Sequence, residues 1–473
     1  MKRIKLAIII AVVSLIAVAG ISYAQIAFNA NLTTSITYQN VGSDSATINF
    51  AFHPENDGTP INVSRTLAAG AGSSVFVGSL SEVGPGFSGS AVLSSDQPIV
   101  ATLVQISGDS AVKNRPLSNG FSSGSSEVLF ATVLKNQFST TSRFSVQNVS
   151  SAPVNLTVNI YNASAPSDPP IVVTHNNLPA GAAKYFDMSS LPQVTASSFN
   201  GSATVTAVLS SDGTTPADIV GSVIEASTTG TNISAFEGVS GGSSTVYMAS
   251  ALCQAFGASS AYAVQNVGGS ATTVTVTYAS GQTDSATIQP GAKNSFQACA
   301  ALPAGTSTAA TITASGGGSI VSIGKVFGGK LSTAWVGASS GSEKVALPYV
   351  RYTVSGWANG SRQRGFIAIQ NIGAPLNAND VTVTYRNSTG AIVGTHQLGA
   401  LATGAKANTN ARHPDVVGNA ADLEEFGYVG GIFGGSVIIE GPPGSELVAV
   451  VRIQSSDGGS LTFGEDATGI PFN

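Results

Sequence analysis

The four histidines are the first candidates for chemistry in this sequence, because imidazole serves near neutral pH as a general base and as a metal ligand. They are scattered along the chain, at His53, His175, His396 and His413. The chain has no GxSxG elbow, Walker loop, HExxH or CxxC motif. His175 and His396 end the matching stretches VVTH and VGTH, which predicts a shared strand environment in two repeats. The sequence therefore predicts a protein that is not an enzyme and has no catalytic residue, cofactor or metal.

A group of carboxylates lies in one segment of the chain, residues 411–427. Its members are Asp415, Asp422, Glu424 and Glu425. Carboxylate oxygens are ligands that Ca²⁺ prefers, so a calcium site is one hypothesis, although the alternating spacing of a calcium loop is missing. The other is a short, solvated surface helix with Asn419 as its N-cap and the acidic residues in its first turns. We favour the helix.

The only two cysteines, Cys253 and Cys299, lie within one repeat of about a hundred residues. An exported chain meets an oxidising compartment, where such a pair forms a disulfide. A reactive or metal-binding thiol pair is the alternative, but no histidine lies near either cysteine in the sequence. We predict a disulfide between them.

Trp357 is the candidate ligand contact. It lies in an insert, SGWANGSRQR at 355–364, and an exposed aromatic ring there could stack on a sugar. Packing within its own repeat is the alternative role, and we favour packing.

A repeated pattern supplies the elements that would position these residues. A Gln-Asn pair closes an apolar run four times, at intervals of just over a hundred residues, and the pairs are Gln39-Asn40, Gln147-Asn148, Gln265-Asn266 and Gln370-Asn371. In the run after each pair, apolar side chains alternate with Thr, Ser and Asn, a period of two that predicts a strand with one face in a core. The residues expected to face inward are Ile48/Phe50/Phe52, Leu156/Val158/Ile160, Val274/Val276/Tyr278 and Val381/Val383/Tyr385.

A glycine turn follows each of these strands. The glycines are Gly70, Gly181, Gly291 and Gly404, each followed by alanine. We expect them to adopt positive φ, which other residues adopt only with strain.

The period matches one antiparallel β-sandwich domain. We predict an all-β chain with a signal peptide at 1–24 and four Ig-like sandwich domains at 25–126, 127–244, 245–343 and 344–473, the last with inserts. Links rich in glycine and serine join the repeats. We expect the four domains to lie end to end in a rod about 150 Å long, from strands of about eight residues and their loops.

The N-terminal segment and the charge balance indicate export. MKRIK, a long apolar run and Ser22-Tyr23-Ala24 have the order of a cleavable secretory signal, with an uncleaved membrane anchor as the alternative. The net charge is −5 and only 10% of residues are charged. This balance argues against nucleic acid as a partner. After cleavage we expect no membrane span.

The order of these runs resembles the tandem Ig-like β-sandwich repeats of bacterial secreted and cell-surface proteins. The likeness lies in the QNVG strand end, the TVTVTY run, the PGA turn and the GSAVLSS and PIVA pair, and it extends over nearly all of 25–473. Such families commonly serve as adhesive, spacer or envelope components. The resemblance therefore implies a secreted or cell-envelope structural or adhesive protein, with other surface proteins or glycans as partners. A carbohydrate-binding module array is the alternative function.

The two ends of the chain suggest self-association as a further alternative. Ile470-Pro471-Phe472 is a surplus run at a place where the other repeats start a new strand, and the first repeat has few residues before its Gln-Asn pair. Donation of the tail strand to the first repeat of another molecule would build a filament. In the simpler alternative the tail folds back on its own repeat, which Pro471 favours because it cannot donate a ladder hydrogen bond.

Overall fold

Antiparallel sheets packed in pairs make up this protein, as seen in its computed structural model. The structure describes residues 32–108, 112, 114–228, 232–329, 331–353, 363–426, 428–429, 432–433, 435–457 and 460–472. The predicted signal peptide and Trp357 lie outside these residues. The all-β prediction is confirmed. In the described chain, helix is confined to a 3-10 turn at Val77–Ser79, α1 (Ala298–Ala301) and α2 (Ala420–Glu424).

The first repeat contains seven strands in two sheets. They are β1 (Leu32–Asn40), β2 (Ala46–Pro54), β3 (Ile61–Leu67), β4 (Gly72–Phe76), β5 (Gly89–Ser95), β6 (Ile99–Ser107) and β7 (Leu117–Asn119). One sheet has the order β4-β1-β6-β7 and the other β3-β2-β5. Apolar side chains of both sheets form one core, in which the Tyr38 and Phe50 rings meet edge to face at 5.2 Å between centroids.

The second and third repeats share one topology, with four strands in each of two sheets. The strands of the second are β8 (Glu127–Lys135), β9 (Thr140–Asn148), β10 (Val154–Asn162), β11 (Ile171–Leu178), β12 (Ala183–Asp187), β13 (Phe199–Leu209), β14 (Ile219–Ser227) and β15 (Ile233–Glu237). Those of the third are β16 (Thr245–Cys253), β17 (Ser259–Asn266), β18 (Thr272–Tyr278), β19 (Thr283–Ile288), β20 (Lys293–Gln297), β21 (Thr306–Ala314), β22 (Ile320–Gly328) and β23 (Leu331–Val336). The sheet orders are β11-β10-β13-β8 with β12-β9-β14-β15, and β19-β18-β21-β16 with β20-β17-β22-β23.

The fourth repeat extends this plan. Its strands are β24 (Lys344–Leu347), β25 (Tyr352–Thr353), β26 (Arg364–Asn371), β27 (Thr382–Asn387), β28 (Ile392–Gln397), β29 (Lys406–Thr409), β30 (Val417–Gly418), β31 (Glu425–Phe426), β32 (Tyr428–Val429), β33 (Ile432–Phe433), β34 (Gly435–Glu440), β35 (Leu447–Asp457), β36 (Ser460–Thr468) and β37 (Ile470–Pro471). One sheet has the order β30-β28-β27-β34-β24-β37 and the other β31-β25-β26-β35-β36, with β29 paired to β26. β32 and β33 form a separate hairpin.

The alternating runs form strands, and their inward residues are the centre of each core. All twelve predicted core residues, from Ile48 to Tyr385, are at most 1% exposed. The polar residues between them face outward in the first three repeats, as the period of two predicts, whereas Thr384 of the fourth repeat is buried.

Each Gln-Asn pair clamps two segments of its own repeat together. In the third repeat Asn266 Nδ2 donates to Ser270 O at 2.8 Å and to Ile288 O at 2.9 Å, while its Oδ1 accepts from Gly268 N at 2.9 Å. The neighbouring Gln265 Nε2 donates to Gly291 O at 3.1 Å. The other three pairs repeat these contacts. The pair is therefore a structural motif, since its buried amides satisfy backbone groups where a strand ends.

The glycine turns have the predicted backbone and a second role. The φ angles of Gly70, Gly181, Gly291 and Gly404 are 70°, 78°, 74° and 78°. A side chain at Gly181 would collide with the His53 ring of the first repeat, and one at Gly291 with the Tyr161 ring of the second. These two turns therefore need glycine both for positive φ and for the close approach of the preceding repeat.

The four repeats form a closed ring, so the predicted rod is wrong. One strand at the end of a sheet in each repeat is called here its closing strand; the four are β7, β15, β23 and β36. β7 contacts β15 and β36, and β23 contacts the same two strands, so each closing strand has a neighbour on either side. All four line a common centre that is too narrow to admit a water molecule.

Hydrogen bonds join the first and fourth repeats, which a rod would hold far apart. Asn119 Nδ2 of β7 donates to Thr468 O at 2.7 Å, and Arg115 N donates to Glu465 Oε2 at 3.4 Å. Thr468 Oγ1 also donates to Val336 O of the third repeat at 2.7 Å. The chain therefore returns to its first repeat.

Apolar burial explains why the repeats close on one another. The first strands of the second, third and fourth repeats are buried on both faces over most of their lengths; they are β8, β16 and β24. One face of each strand packs on the core of its own repeat, and the other face is buried as well. Residues of a neighbouring repeat join the cores of the second, third and fourth repeats. They are Val321 and Ile323 on the second, Val448 and Val450 on the third, and Val104 and Leu117 of the first repeat on the fourth.

The C-terminal tail pairs within its own repeat. Ile470 and Pro471 of β37 lie opposite Ala346 and Val345 of β24. The links after the second and third repeats make the same kind of pairing, through Val239 on β8 and Ala338 on β16. The tail therefore corresponds in position to the links that follow the second and third repeats, and not to the first strand of a further repeat. In the first repeat, β5 has β2 as its only strand partner within the described residues.

Candidate functional site

Two histidines and one carboxylate from distant parts of the fourth repeat meet at its surface. The His396 and His413 rings stack with 4.4 Å between their centroids and 24° between their planes. Asp415 Oδ2 lies 4.0 Å from His396 Nε2 and 3.7 Å from His413 Nδ1. In the described part of the chain, this is the one group of three or more metal-ligating side chains that could share an ion. We call it the histidine cluster.

The turn after β29 brings the insert across β28. Asn410 Oδ1 accepts from Arg412 N at 2.8 Å, and Asn410 O accepts from His413 N at 3.0 Å. A second turn follows, in which Val416 N donates to His413 O at 3.0 Å. β30 then pairs with β28, with Val417 opposite Thr395. This pairing holds the insert next to His396, on the same strand.

A hydroxyl relay fixes the buried His396 ring. His396 Nδ1 lies 2.7 Å from Thr409 Oγ1, which lies 2.9 Å from the Tyr385 hydroxyl. All three side chains are buried. With the proton on Nδ1, His396 donates to Thr409 and keeps a lone pair on Nε2, the nitrogen that faces Asp415.

The surroundings of His396 disfavour its protonated form. Burial lowers its pKa below the ordinary value, and the neighbouring His413 lowers it further, while Asp415 has the opposite effect. A neutral imidazole is the form that binds a metal ion. Asp415, by contrast, is 74% exposed and His413 is 29% exposed, so the cluster has one fixed member and two that face solvent.

The acidic helix is confirmed, while the proposed calcium set does not assemble. α2 begins at Ala420, and Asn419 Oδ1 accepts from Ala421 N at 3.1 Å as the predicted cap. Asp422 and Glu424 are exposed on this helix and join no ligand group with Asp415. Glu425 falls in β31 and not in the helix. The structure does bring His396, His413 and Asp415 together, a group that the sequence analysis did not identify.

His175 and His396 occupy equivalent strands, β11 and β28, as the matching sequences predicted. Their surroundings differ, because no insert covers β11. His175 is half-buried, and burial lowers its pKa, as does nearby Lys184, against the effect of Glu55. Sequence reasoning missed the cluster because His413 comes from an insert that the other repeats lack.

A groove of about 480 Å³ lies at the junction of the first and second repeats. Glu55, Arg143, His175, Lys184 and Tyr185 are among the residues that line it. The Arg143 guanidinium lies 4.5 Å from the centre of the Tyr185 ring, and Lys184 Nζ lies 3.7 Å from Glu55 Oε1. The groove is open, and its charges are mixed.

The predicted disulfide is confirmed: Cys253 and Cys299 are bonded, joining β16 to α1. No helix within the described residues is both long and apolar enough to cross a membrane. In comparisons with known proteins, no protein-family model matches the chain, and no curated protein matches it.

Proposed function

We propose that this protein is an exported, non-enzymatic structural component of the cell surface, made of four Ig-like domains at 25–126, 127–244, 245–343 and 344–473 that close into a ring. One observation carries the proposal: the joint between closing strands recurs from repeat to repeat and returns to the first. Such a closed, repeated joint is what a rigid structural part requires.

Polar side chains between neighbouring repeats support the same conclusion. Lys293 Nζ of the third repeat donates to Thr132 Oγ1 of the second at 2.8 Å, and Lys406 Nζ of the fourth donates to Ser307 Oγ of the third at 3.0 Å. Glu225 and Lys325 form an ion pair of 2.6 Å between the second and third repeats. The buried charges thus serve assembly of the ring. The disulfide and the sparsely charged composition agree with export.

Fractionation of the source cells tests this proposal. We expect the chain in the cell-envelope fraction, with Cys253 and Cys299 oxidised when free thiols are blocked before lysis. Recovery only from the cytoplasm with free thiols, or only as a soluble monomer in the medium, would contradict an envelope role.

A carbohydrate-binding array is the second candidate, and the groove between the first two repeats favours it. Tyr185 and the polar side chains around it offer the stacking and hydrogen bonding that sugars need. A glycan array with Trp357→Ala and Arg143→Ala variants separates the two candidates. Binding that either variant abolishes would favour the carbohydrate function.

Filament formation by strand addition is a weaker proposal. Its donor, the tail at Ile470–Pro471, is already paired to β24. In this proposal, the outer edge of β5 accepts the strand that another molecule donates. Sizing of intact protein against a chain lacking residues 469–473, at high concentration, tests it, since equal monodispersity would exclude the tail as donor.

A further inference from the structure

We propose that His396, His413 and Asp415 bind one divalent transition-metal ion of the zinc class. Two imidazole nitrogens and a carboxylate oxygen form a donor set that suits Zn²⁺, Ni²⁺ and Cu²⁺. Ca²⁺ and Mg²⁺ prefer oxygen ligands throughout, so this set selects against them. Such a site is independent of ring closure and of export.

The separations of the donors are close to those that a bound ion requires. Ligands at about 2.1 Å from a tetrahedral Zn²⁺ lie about 3.4 Å from one another. Asp415 Oδ2 is 3.7 Å from His413 Nδ1 and 4.0 Å from His396 Nε2. Movements of the Asp415 and His413 side chains, which face solvent, would close both gaps, while the buried His396 keeps its place.

The support behind His396 resembles that of metal-binding histidines in general. A ligating imidazole usually directs its second nitrogen to a hydrogen-bond partner, which fixes the ring and its tautomer. Thr409 Oγ1 occupies that position at 2.7 Å from Nδ1, and Tyr385 supports Thr409 in turn. With the proton on Nδ1, Nε2 of His396 keeps its lone pair on the side of Asp415.

His413 is the member that must move. A metal ion lies in the plane of each imidazole that binds it, whereas the His413 ring now lies stacked on His396. Its Nδ1 accepts a hydrogen bond of 3.3 Å from Asp415 N. We therefore expect metal binding to break both contacts and to turn the His413 ring away from the stack. This movement gives the proposal a second readout, besides affinity.

Titration of the full chain with Zn²⁺ by calorimetry tests the proposal. We expect one equivalent to bind, and His413→Ala or Asp415→Asn to weaken binding at least tenfold. His175→Ala is the matched control, because it removes a histidine from the equivalent strand of the second repeat, and it should leave the affinity unchanged. Co²⁺ should give visible absorption typical of a nitrogen and oxygen site, and both site variants should lose it.

Imidazole NMR signals report the movement directly. Zn²⁺ should shift the ring signals of His396 and His413 and leave those of His175 in place. Circular dichroism confirms that the exposed-residue variants are folded. The proposal is overturned if Zn²⁺ at 100-fold excess over protein gives no bound equivalent, if the site variants bind as tightly as wild type, or if Ca²⁺ binds in preference to Zn²⁺.

Discussion

Replacement of Glu465 by glutamine tests whether the closing strands meet at a buried centre. Glu465 is 1% exposed and lies among residues of all four repeats. Its Oε1 accepts no hydrogen bond within the described residues. Burial raises the pKa of Glu465 to about 8 from its ordinary value of 4.5, against the lowering effect of Arg115. In a rod this side chain would be in water.

The size and sign of the effect follow from that pKa. Between pH 4.5 and pH 8 the folded chain holds this proton more tightly than the unfolded chain. The contribution of Glu465 is therefore fully present below pH 4.5 and lost as the pH rises to 8. At about 1.4 kcal/mol for each pH unit, the loss is on the order of 5 kcal/mol. Glutamine has nearly the same shape and stays neutral, so Glu465→Gln should match wild type near pH 5 and exceed its stability above pH 8.

Thermal and urea unfolding of both proteins at about pH 5 and pH 9 measure this difference. Comparing wild type with Glu465→Gln at the same pH cancels the contributions that the other titrating groups make to stability. These groups include Lys293 and Lys406, whose pKa values burial lowers to about 7. Glu424→Gln, on the exposed helix of the same repeat, is the control and should leave the pH dependence unchanged. If Glu465→Gln gives no extra stability at high pH, Glu465 is solvated and the closed centre is refuted.

Three further predictions concern the repeats themselves. Asn266→Ala removes three hydrogen bonds, and we expect a loss of about 2 to 4 kcal/mol in urea unfolding; a loss below about 0.5 kcal/mol would contradict the clamp. Val276→Asp buries an unpaired charge, so we expect the variant to lose the circular-dichroism signal of the folded protein. His175→Ala should lower the free energy of unfolding by less than about 1 kcal/mol. Equal losses would mean that the assigned strand faces are wrong. Reduction of Cys253–Cys299, which are 46 residues apart, should lower the stability of the full chain by about 4 kcal/mol on loop entropy, and with it the melting temperature. An unchanged melting temperature would argue against the bond.

Local rules were enough to predict the interior of each repeat. The period of two identified the buried faces from Ile48 to Tyr385, since each strand has a core on one side. Glycine before alanine predicted the positive φ at the four turns, because that backbone strains other residues. The pairing of Cys253 with Cys299 followed from there being two cysteines in one exported repeat.

The ring was not predicted, although one signal for it was present. VLFATVL at 128–134 and VYMASAL at 246–252 place apolar residues at successive positions, which a strand with one wet face does not need. The structure buries both faces of these strands. What the pattern could not identify was the neighbour, because Val321 and Ile323, which join the core that holds β8, come from the next repeat.

The histidine cluster depends on contacts that no local pattern encodes. His413 and Asp415 reach His396 only because the insert folds back through β30 onto β28. Spacing along the chain therefore gave no reason to group them. The relay from Tyr385 through Thr409 likewise joins three separate strands.

Small-angle X-ray scattering of the monomer in solution tests ring closure most directly. Four repeats closed on one another should give a radius of gyration of about 22 to 26 Å, close to the value for a compact chain of this length. Four sandwiches in a rod about 150 Å long would give about 43 Å. The ring predicts the smaller value with a maximum dimension far below 150 Å; a radius near 43 Å would contradict it.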